Sequence, residues 1–407
     1  MKRKKTSKKL RIILGLELIA VTVIFLMIII KGDISFHTIG AKETMKEDTE
    51  HPEDNKEEQK SATESDSKAD PNPLKKQDPA VVLDPSAEQK AEIGGAGSEE
   101  ELTKEVTDTI IISAAGDVTL GRDHNYGYEN SFDHELKVQG MDYSYFFRNV
   151  KDIFAQDDIT IVNLETTLTT AKQPAEKKFR FKADPSYVEI LKQGDIEVVN
   201  VANNHTRDYL EKGYTDTLAT LKEAGVGYFG YEHTYIQEIR GIKVGLAGFV
   251  GWEATKDKKQ EIQGRIEELK EQGADLVIVM FHWGIERDYD PNSVQKELAR
   301  YSIDHGADLV LGGHPHVLQG IEEYKGKNIV YSLGNFSFGG NKNPSDKDTM
   351  VYVHKFHFTN GALVSEENEI IPCSISSVKN RNNYQPTPLE GKEKDRVLDK
   401  IEKFSKF

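Results

Sequence analysis

From Thr109 onward the chain repeats one unit: a short β-rich apolar run, a polar cluster, then an amphipathic stretch. The apolar runs occupy residues 110–115, 159–162, 198–202, 244–249, 276–281, 309–311 and 329–332, and the amphipathic stretches occupy 143–154, 187–192, 214–224, 261–272 and 293–305. Runs this short and continuous suit strands buried on both faces, and their alternation with helical periods restricts the body to an α/β fold. In such folds the ligand sites lie beyond the carboxyl ends of the strands, so the polar clusters read as loops along one functional edge. After 329 the strands follow one another without helices, and 349–358 with 362–371 read as a hairpin around Asn360-Gly361. Asp290-Pro291 reads as a turn before a helix capped at Ser293. The stretch 376–407 is rich in Lys and Asn and reads as a peripheral extension or short terminal helix.

Ahead of this body lie three segments of different physics. Residues 1–11 form a basic tail, and residues 12–30 are apolar apart from Gly15, Glu17 and Thr22, long enough as a helix to cross the roughly 30 Å bilayer core. That run is longer than the apolar region of a cleavable signal, and 35–41 is a poor cleavage site, so the expectation is an uncleaved single-pass anchor. The flanking Lys2, Arg3, Lys4, Lys5, Lys8, Lys9 and Arg11 place the amino terminus in the cytoplasm and the body outside the cell membrane. Glu17 either snorkels and pairs with Arg11 or marks a contact with another membrane subunit. Residues 31–105 are acidic and poor in aromatics, and read as a disordered, extended tether.

Charge and cysteine content remove several function classes. The net charge is -15 over 407 residues, with a strongly acidic body, which argues against a nucleic-acid partner because such binders concentrate Lys and Arg on one face. The lone Cys373 excludes an intramolecular disulfide and a cysteine-based zinc cage. There is no Gly-x-Ser-x-Gly nucleophile elbow.

Five clusters sit just past apolar runs: Gly116-Asp117, Asn163-Leu164-Glu165, Asn203-Asn204-His205, His282-Trp283-Gly284 and Gly313-His314-Pro315-His316. Each alone is explained by a cap, a turn or a solvated strand end. Their coincidence, with four of the twelve histidines among them, points to convergence on a metal site. A thiolate-free set of carboxylate, imidazole and amide donors suits two divalent transition metal ions, Mn, Fe or Zn, about 3.5–4 Å apart.

The order of these motifs resembles the calcineurin-like metallophosphoesterases, and more closely their CapA-type branch, the poly-γ-glutamate capsule biosynthesis proteins. The resemblance rests on GDVTLGR at 116–122, NLE at 163–165, NNHTRDY at 203–209, HWG at 282–284, GGHPHVLQGIE at 312–322 and YSLGNFSF at 331–338. It implies a four-layer α/β/β/α sandwich over 106–375, with 376–407 as a C-terminal extension. It also implies Asp117 and His316 on one ion, Asn204, His282 and His314 on the other, and Glu165 bridging. His205 is then the proton donor to the leaving group, held by Asp208. Arg122 contacts an anionic group of the substrate or makes a structural salt bridge. Asn335 is expected to tie loop backbone near the site, and Trp283 to pack a substrate chain or simply the core.

Two departures from the wider phosphoesterase pattern stand out. Asp117-Val118-Thr119 replaces Asp-x-His, so one imidazole ligand is missing, and Glu165 replaces the usual bridging Asp; His124 is a candidate substitute imidazole. The CapA-type branch shares both departures. The function implied is synthesis, export or attachment of an anionic polymer such as poly-γ-glutamate, by a metal-dependent hydrolase-type site. The competing classes are an extracellular phosphoesterase unrelated to capsule and a non-catalytic subunit of a membrane synthase complex.

Overall fold

The computed structural model describes residues 105–407, so the basic tail, the apolar run 12–30 and nearly all of the tether lie outside the described residues. Among the described residues no helix is long and apolar enough to cross a membrane. The elements follow in the order β1 (Thr107–Thr119), β2 (Arg122–Asp123), α1 (Phe132–Val138), α2 (Lys151–Phe154), β3 (Ile159–Leu164), β4 (Thr167–Leu168), β5 (Phe181–Ala183) and α3 (Val188–Gln193). Next come β6 (Val198–Asn200), α4 (Leu210–Ala224), β7 (Gly227–Phe229), β8 (Tyr235–Ile239), β9 (Ile242–Gly251), α5 (Lys256–Glu271), β10 (Leu276–Trp283) and α6 (Ser293–Asp304). The chain closes with β11 (Leu309–Gly313), β12 (Ile321–Tyr324), β13 (Lys327–Val330), β14 (Asn335–Phe338), β15 (Asp348–Thr359), β16 (Ala362–Ser374), β17 (Thr387–Pro388) and α7 (Gly391–Phe404).

Two large sheets dominate. One runs β17-β16-β15-β1-β3-β6-β7 with β14 also paired to β1, and the other runs β12-β13-β11-β10-β9-β8. The period-2 alternation of a strand sorts its side chains between two cores. In β1, Ile110, Ile112 and Ala114 face the core shared by the two sheets, and so do Leu276, Ile278 and Met280 in β10. The intervening Val277, Val279, Phe281 and Trp283 face α5 and α6 through Ile262, Ile266, Leu269, Leu298 and Ile303. The outer face of the first sheet packs Val162, Leu164 and Val199 against Leu136, Ile190, Tyr214 and Leu221. The result is an α/β sandwich in which the central strands are covered on both faces, as the unbroken apolar runs require, while β16 and β8 stay partly exposed.

Several local expectations are met. The hairpin of β15 and β16 turns at Asn360 and Gly361, both at positive φ (53° and 79°), the geometry that matches strand twist in a two-residue turn. Helix α5 begins earlier than its apolar period, because the Thr255 hydroxyl accepts from Lys258 N at 3.2 Å and caps it. Others need correction. The cap of α6 is Asn292 rather than Ser293: its side chain accepts from Gln295 N, while Gln295 Oε1 accepts from Asn292 N, both at 3.0 Å. The stretch 143–154 is not one helix but a 3₁₀ turn and the short α2, joined through a turn that carries the fully buried Phe146, Phe147 and Val150. The sequence reading also passed over a small third sheet, β2-β5-β4, beside the edge that carries the polar clusters.

The stretch 376–407 packs into the body. Val397 and Ile401 of α7 join the core between the sheets. Tyr384 is fully buried with its hydroxyl donating to Asn130 O at 2.6 Å, and Asn382 Nδ2 donates to Phe338 O and Asn341 O, both at 3.0 Å. Its asparagines thus satisfy backbone carbonyls of the body, a use that composition does not reveal.

Candidate metal centre

Strands β1, β3 and β6 run parallel, as do β9, β10 and β11, so their carboxyl ends deliver side chains to common edges. Asp117 lies near the end of β1, Glu165 follows β3, the Asn203–His205 loop follows β6, His282 lies near the end of β10, and His314 and His316 follow β11. Two glycines permit close approaches around Asp117, Gly116 to the chain leading into β14 and Gly313 between the two sheets. A Cβ at Gly116 would stand 1.9 Å from Gly334 O, and one at Gly313 would stand 2.5 Å from Asp117 Oδ1. Both contacts are shorter than real side chains tolerate, so only glycine lets the Asp117 carboxylate lie against the β11 end.

The sequence-predicted ligands converge. Asp117 Oδ2 lies 3.2 Å from His316 Nδ1 and accepts from His314 N at 3.0 Å. His282 Nε2 lies 2.9 Å from Asn204 Oδ1. Between these two pairs stands Glu165, its Oε1 3.6 Å from His282 Nε2 and 4.0 Å from His316 Nε2. Ligand atoms of Glu165, His314 and His316 lie within 4.8 Å of one another. Asp117, Glu165 and His282 are fully buried, and both Glu165 oxygens, together with Nδ1 of His314, have no hydrogen-bond partner. Buried polar atoms are nearly always paired, so this concentration of unpartnered acceptors fits divalent cations. His314 and His316 also adopt left-handed backbone (φ 91° and 57°), strain of the kind that concentrates at binding sites.

Titration within the site has the same cause. Burial, then the facing Asp117, pushes the Glu165 carboxyl well above the usual carboxylate range. Burial alone would lower His316, but the charges of Glu165 and Asp117 overrule it and push the imidazole up to about 10. Burial and the neighbouring imidazoles hold His282 and His314 well below the ordinary histidine value. Protons therefore occupy this site where positive charge of another kind would be favoured, and cations compete with them.

His205 stands beside this cluster. Its Nδ1 is 2.6 Å from Asp208 Oδ2 and its Nε2 faces Glu165 Oε1 at 3.8 Å. Burial lowers its pKa, and Asp208 pulls the other way. Asp208, fully buried, also accepts from Phe181 N at 2.5 Å and from Lys177 Nζ at 2.7 Å. Arg122 donates to Asp133 Oδ2 at 3.0 Å and to Tyr126 O at 2.9 Å, the salt bridge of its two readings. His124 is exposed on the turn after β2 and is not among the clustered metal-ligating side chains. Trp283 is fully buried, stacked on Phe281 at 4.3 Å, and donates from Nε1 to Tyr331 O at 2.8 Å, which gives it the packing role.

Three residues escaped the sequence reading. Lys177, whose Nζ also donates to Asn204 O at 2.7 Å, comes from the loop between β4 and β5, and one lysine in a basic loop has no spacing signature. Asn163 was part of a cluster without a role; its Nδ2 lies 2.8 Å from Asp117 Oδ1 and 3.1 Å from His282 Nδ1, fixing one against the other. Trp252 sets its ring edge-on to His314 at 4.6 Å and to His282 at 5.9 Å. It follows the end of β9, the same position as the polar clusters, and that placement was the available signal.

Comparison with known proteins agrees with this arrangement. The family described as "Bacterial capsule synthesis protein PGA_cap" matches residues 111–340, more than half of the chain and every candidate ligand. "PGA biosynthesis protein CapA" of Bacillus subtilis (strain 168) is 31% identical over 310 residues, 71% of this chain and 79% of that protein. "Capsule biosynthesis protein CapA" of Bacillus anthracis is 32% identical over 271 residues, 60% of this chain and 64% of that protein. The chain belongs to the bacterial capsule synthesis protein PGA_cap family, and within it is of the CapA type.

Proposed function

We propose that this protein acts in the synthesis, export or attachment of poly-γ-glutamate or a similar anionic polymer at the cell surface, through a dinuclear, hydrolase-type metal site. The observation that carries the reading is the group of buried Glu165 and His314 with half-buried His316, both Glu165 oxygens unpartnered, in a chain of the CapA type. The sandwich is then the four-layer α/β/β/α arrangement of the metallophosphoesterases, and residues 12–30 anchor it as a single-pass helix with the body outside.

In this reading Asp117 and His316 hold one ion, Asn204, His282 and His314 the other, and Glu165 spans both. When bound, such a pair supplies Lewis acidity at a carbonyl or phosphoryl oxygen and lowers the pKa of water. His205 donates Nδ1–H to Asp208, which leaves Nε2 as the atom that exchanges a proton with the leaving group. Lys177 fixes Asp208 and the Asn204 carbonyl together, so the proton-handling pair and the metal ligand keep one geometry. Asn163 holds Asp117 against His282.

The test has two arms. Elemental analysis of the purified full-length chain should find one to two transition metal ions, lost in Asp117→Ala and His314→Ala. Cells lacking the gene should lose surface polymer, and the wild-type gene should restore it while His205→Asn does not. Metal retention with unchanged polymer in the deletion strain would favour a phosphoesterase unrelated to capsule. Rescue by His205→Asn would favour a non-catalytic subunit.

A further inference from the structure

The missing imidazole at Thr119 leaves one ion with fewer protein ligands than the other, and the fold offers a replacement from elsewhere in the chain. Asn335 opens β14, which pairs in parallel with β1, and its register partner is Asp117. Partners in register present side chains on the same face of a sheet, so Asn335 and Asp117 point the same way. Asn335 Nδ2 donates to His316 O at 3.3 Å, which holds the carboxamide beside the second ligand of the same ion. Its other polar atom, Oδ1, is buried without a partner in a residue only 4% exposed. A carboxamide on the strand position beside Asp117, tied by its nitrogen to His316 O and with its buried oxygen unused, has an oxygen free to serve as a ligand.

We infer that Asn335 Oδ1 completes the first metal position, taking the place of the absent imidazole. That position then comprises Asp117, Glu165 and Asn335 oxygens with the single His316 imidazole, whereas the second offers two imidazoles, His282 and His314, with the Asn204 and Glu165 oxygens. Oxygen-rich sets suit Mn²⁺, and imidazole-rich sets suit Zn²⁺ and its neighbours. The two positions therefore differ in metal preference, the first favouring Mn²⁺. The Asn335 backbone tie and its ligand role are compatible, because they use different atoms of one side chain. The inference rests on the dinuclear reading above and adds a ligand that motif order did not supply.

The experiment uses the full-length chain, stripped with a chelator and titrated with Mn²⁺ alone, with bound ions counted by loss of the free Mn²⁺ paramagnetic resonance signal and by calorimetry. Wild type should take up two ions. Asn335→Ala should take up one at the same concentrations, with the second binding at least about tenfold more weakly. Asn335→Asp should keep two, because a carboxylate oxygen replaces the amide oxygen while the donor to His316 O is lost. Near-ultraviolet circular dichroism checks that each variant is folded, and the near-isosteric Asp variant keeps the test decisive if the Ala variant is not. Two ions of unchanged affinity in Asn335→Ala overturn the inference. Equal loss in the Ala and Asp variants also overturns it, since that pattern belongs to the backbone tie alone. A wild type that takes up no Mn²⁺ or Zn²⁺ overturns the dinuclear reading and this inference together, a result distinct from either variant pattern.

Discussion

Replacing Glu165 by Gln should make the metal-free protein more stable and the metal-loaded protein relatively weaker. Glu165 is fully buried, neither oxygen has a hydrogen-bond partner, and Asp117 faces it. A buried group left unsatisfied costs about 1–3 kcal/mol, and more when it is charged. Removing that charge should recover about 1–3 kcal/mol in chelator at pH 8. For a body of about 300 residues, roughly 2 °C of melting temperature accompanies each kcal/mol, so the rise should be about 2–6 °C. The sign depends on pH. A carboxyl whose folded pKa is raised contributes stability below its unfolded value and loses it as pH climbs through the folded value. The advantage of Gln should therefore shrink toward pH 4 and grow above neutrality. Mn²⁺ at a hundredfold over its dissociation constant should add about 2.7 kcal/mol, near 5 °C, to wild type and much less to the variant. Differential scanning calorimetry with chelator and with Mn²⁺ across pH 4.5–8.5 reads both effects. A variant less stable than wild type in chelator at pH 8, or one that gains as much from Mn²⁺, would refute the reasoning.

Other expectations follow from particular contacts. Asp157, pushed up to about 7 by burial despite the hydrogen bond from Thr160 Oγ1 at 2.8 Å, should make Asp157→Asn more stable than wild type at pH 8 and not below pH 5; a melting difference that does not change with pH contradicts this. Asp208→Asn strips the counter-charge from Lys177 and should cost about 3 kcal/mol in urea unfolding, the low end for a broken buried pair because Lys177 keeps some exposure; a loss under about 1 kcal/mol would mean the pair is not coupled. Cys373, fully buried with its thiol pushed up to about 12, should resist a thiol-specific aromatic disulfide reagent at pH 8 in the native state and react once denatured. Mn²⁺ uptake should release protons near pH 7 and strengthen as pH rises, because His316, pushed up to about 10, holds a proton that the cation displaces; calorimetry in buffers of different ionisation enthalpy would show no proton release if the site were already deprotonated.

Local chemistry was legible wherever a residue's role is tied to its own strand end. Asp117, Glu165, Asn204, His282, His314 and His316 could be chosen because each lies at or just past the end of a buried run, and their proposed assignment to two ions comes from the resemblance in motif order. The hairpin at Asn360-Gly361 was legible for the same reason, since two consecutive left-handed residues are a property of the turn itself. Lys177 and Trp252 were not, because what recruits them is the position of another segment rather than their own neighbours. The stretch 376–407 shows the same limit: of its two readings, a peripheral extension or a short terminal helix, the helix is present at Gly391–Phe404, but its polar composition did not reveal that Asn382 and Tyr384 are buried against backbone of distant elements.

By itself the sequence determined the α/β class, the edge on which chemistry resides and the kind of donors found there, because period, turn residues and strand-end side chains are encoded over a few neighbouring positions. The tertiary structure decided how the two sheets register against each other. That register puts Gly313 under Asp117, Glu165 between His282 and His316, and Asn335 beside both Asp117 and His316. All but the Asn335–His316 contact join residues more than a hundred positions apart, and only the packing of apolar cores on both faces of each sheet fixes such distances to the ångström that the proposed metal site demands.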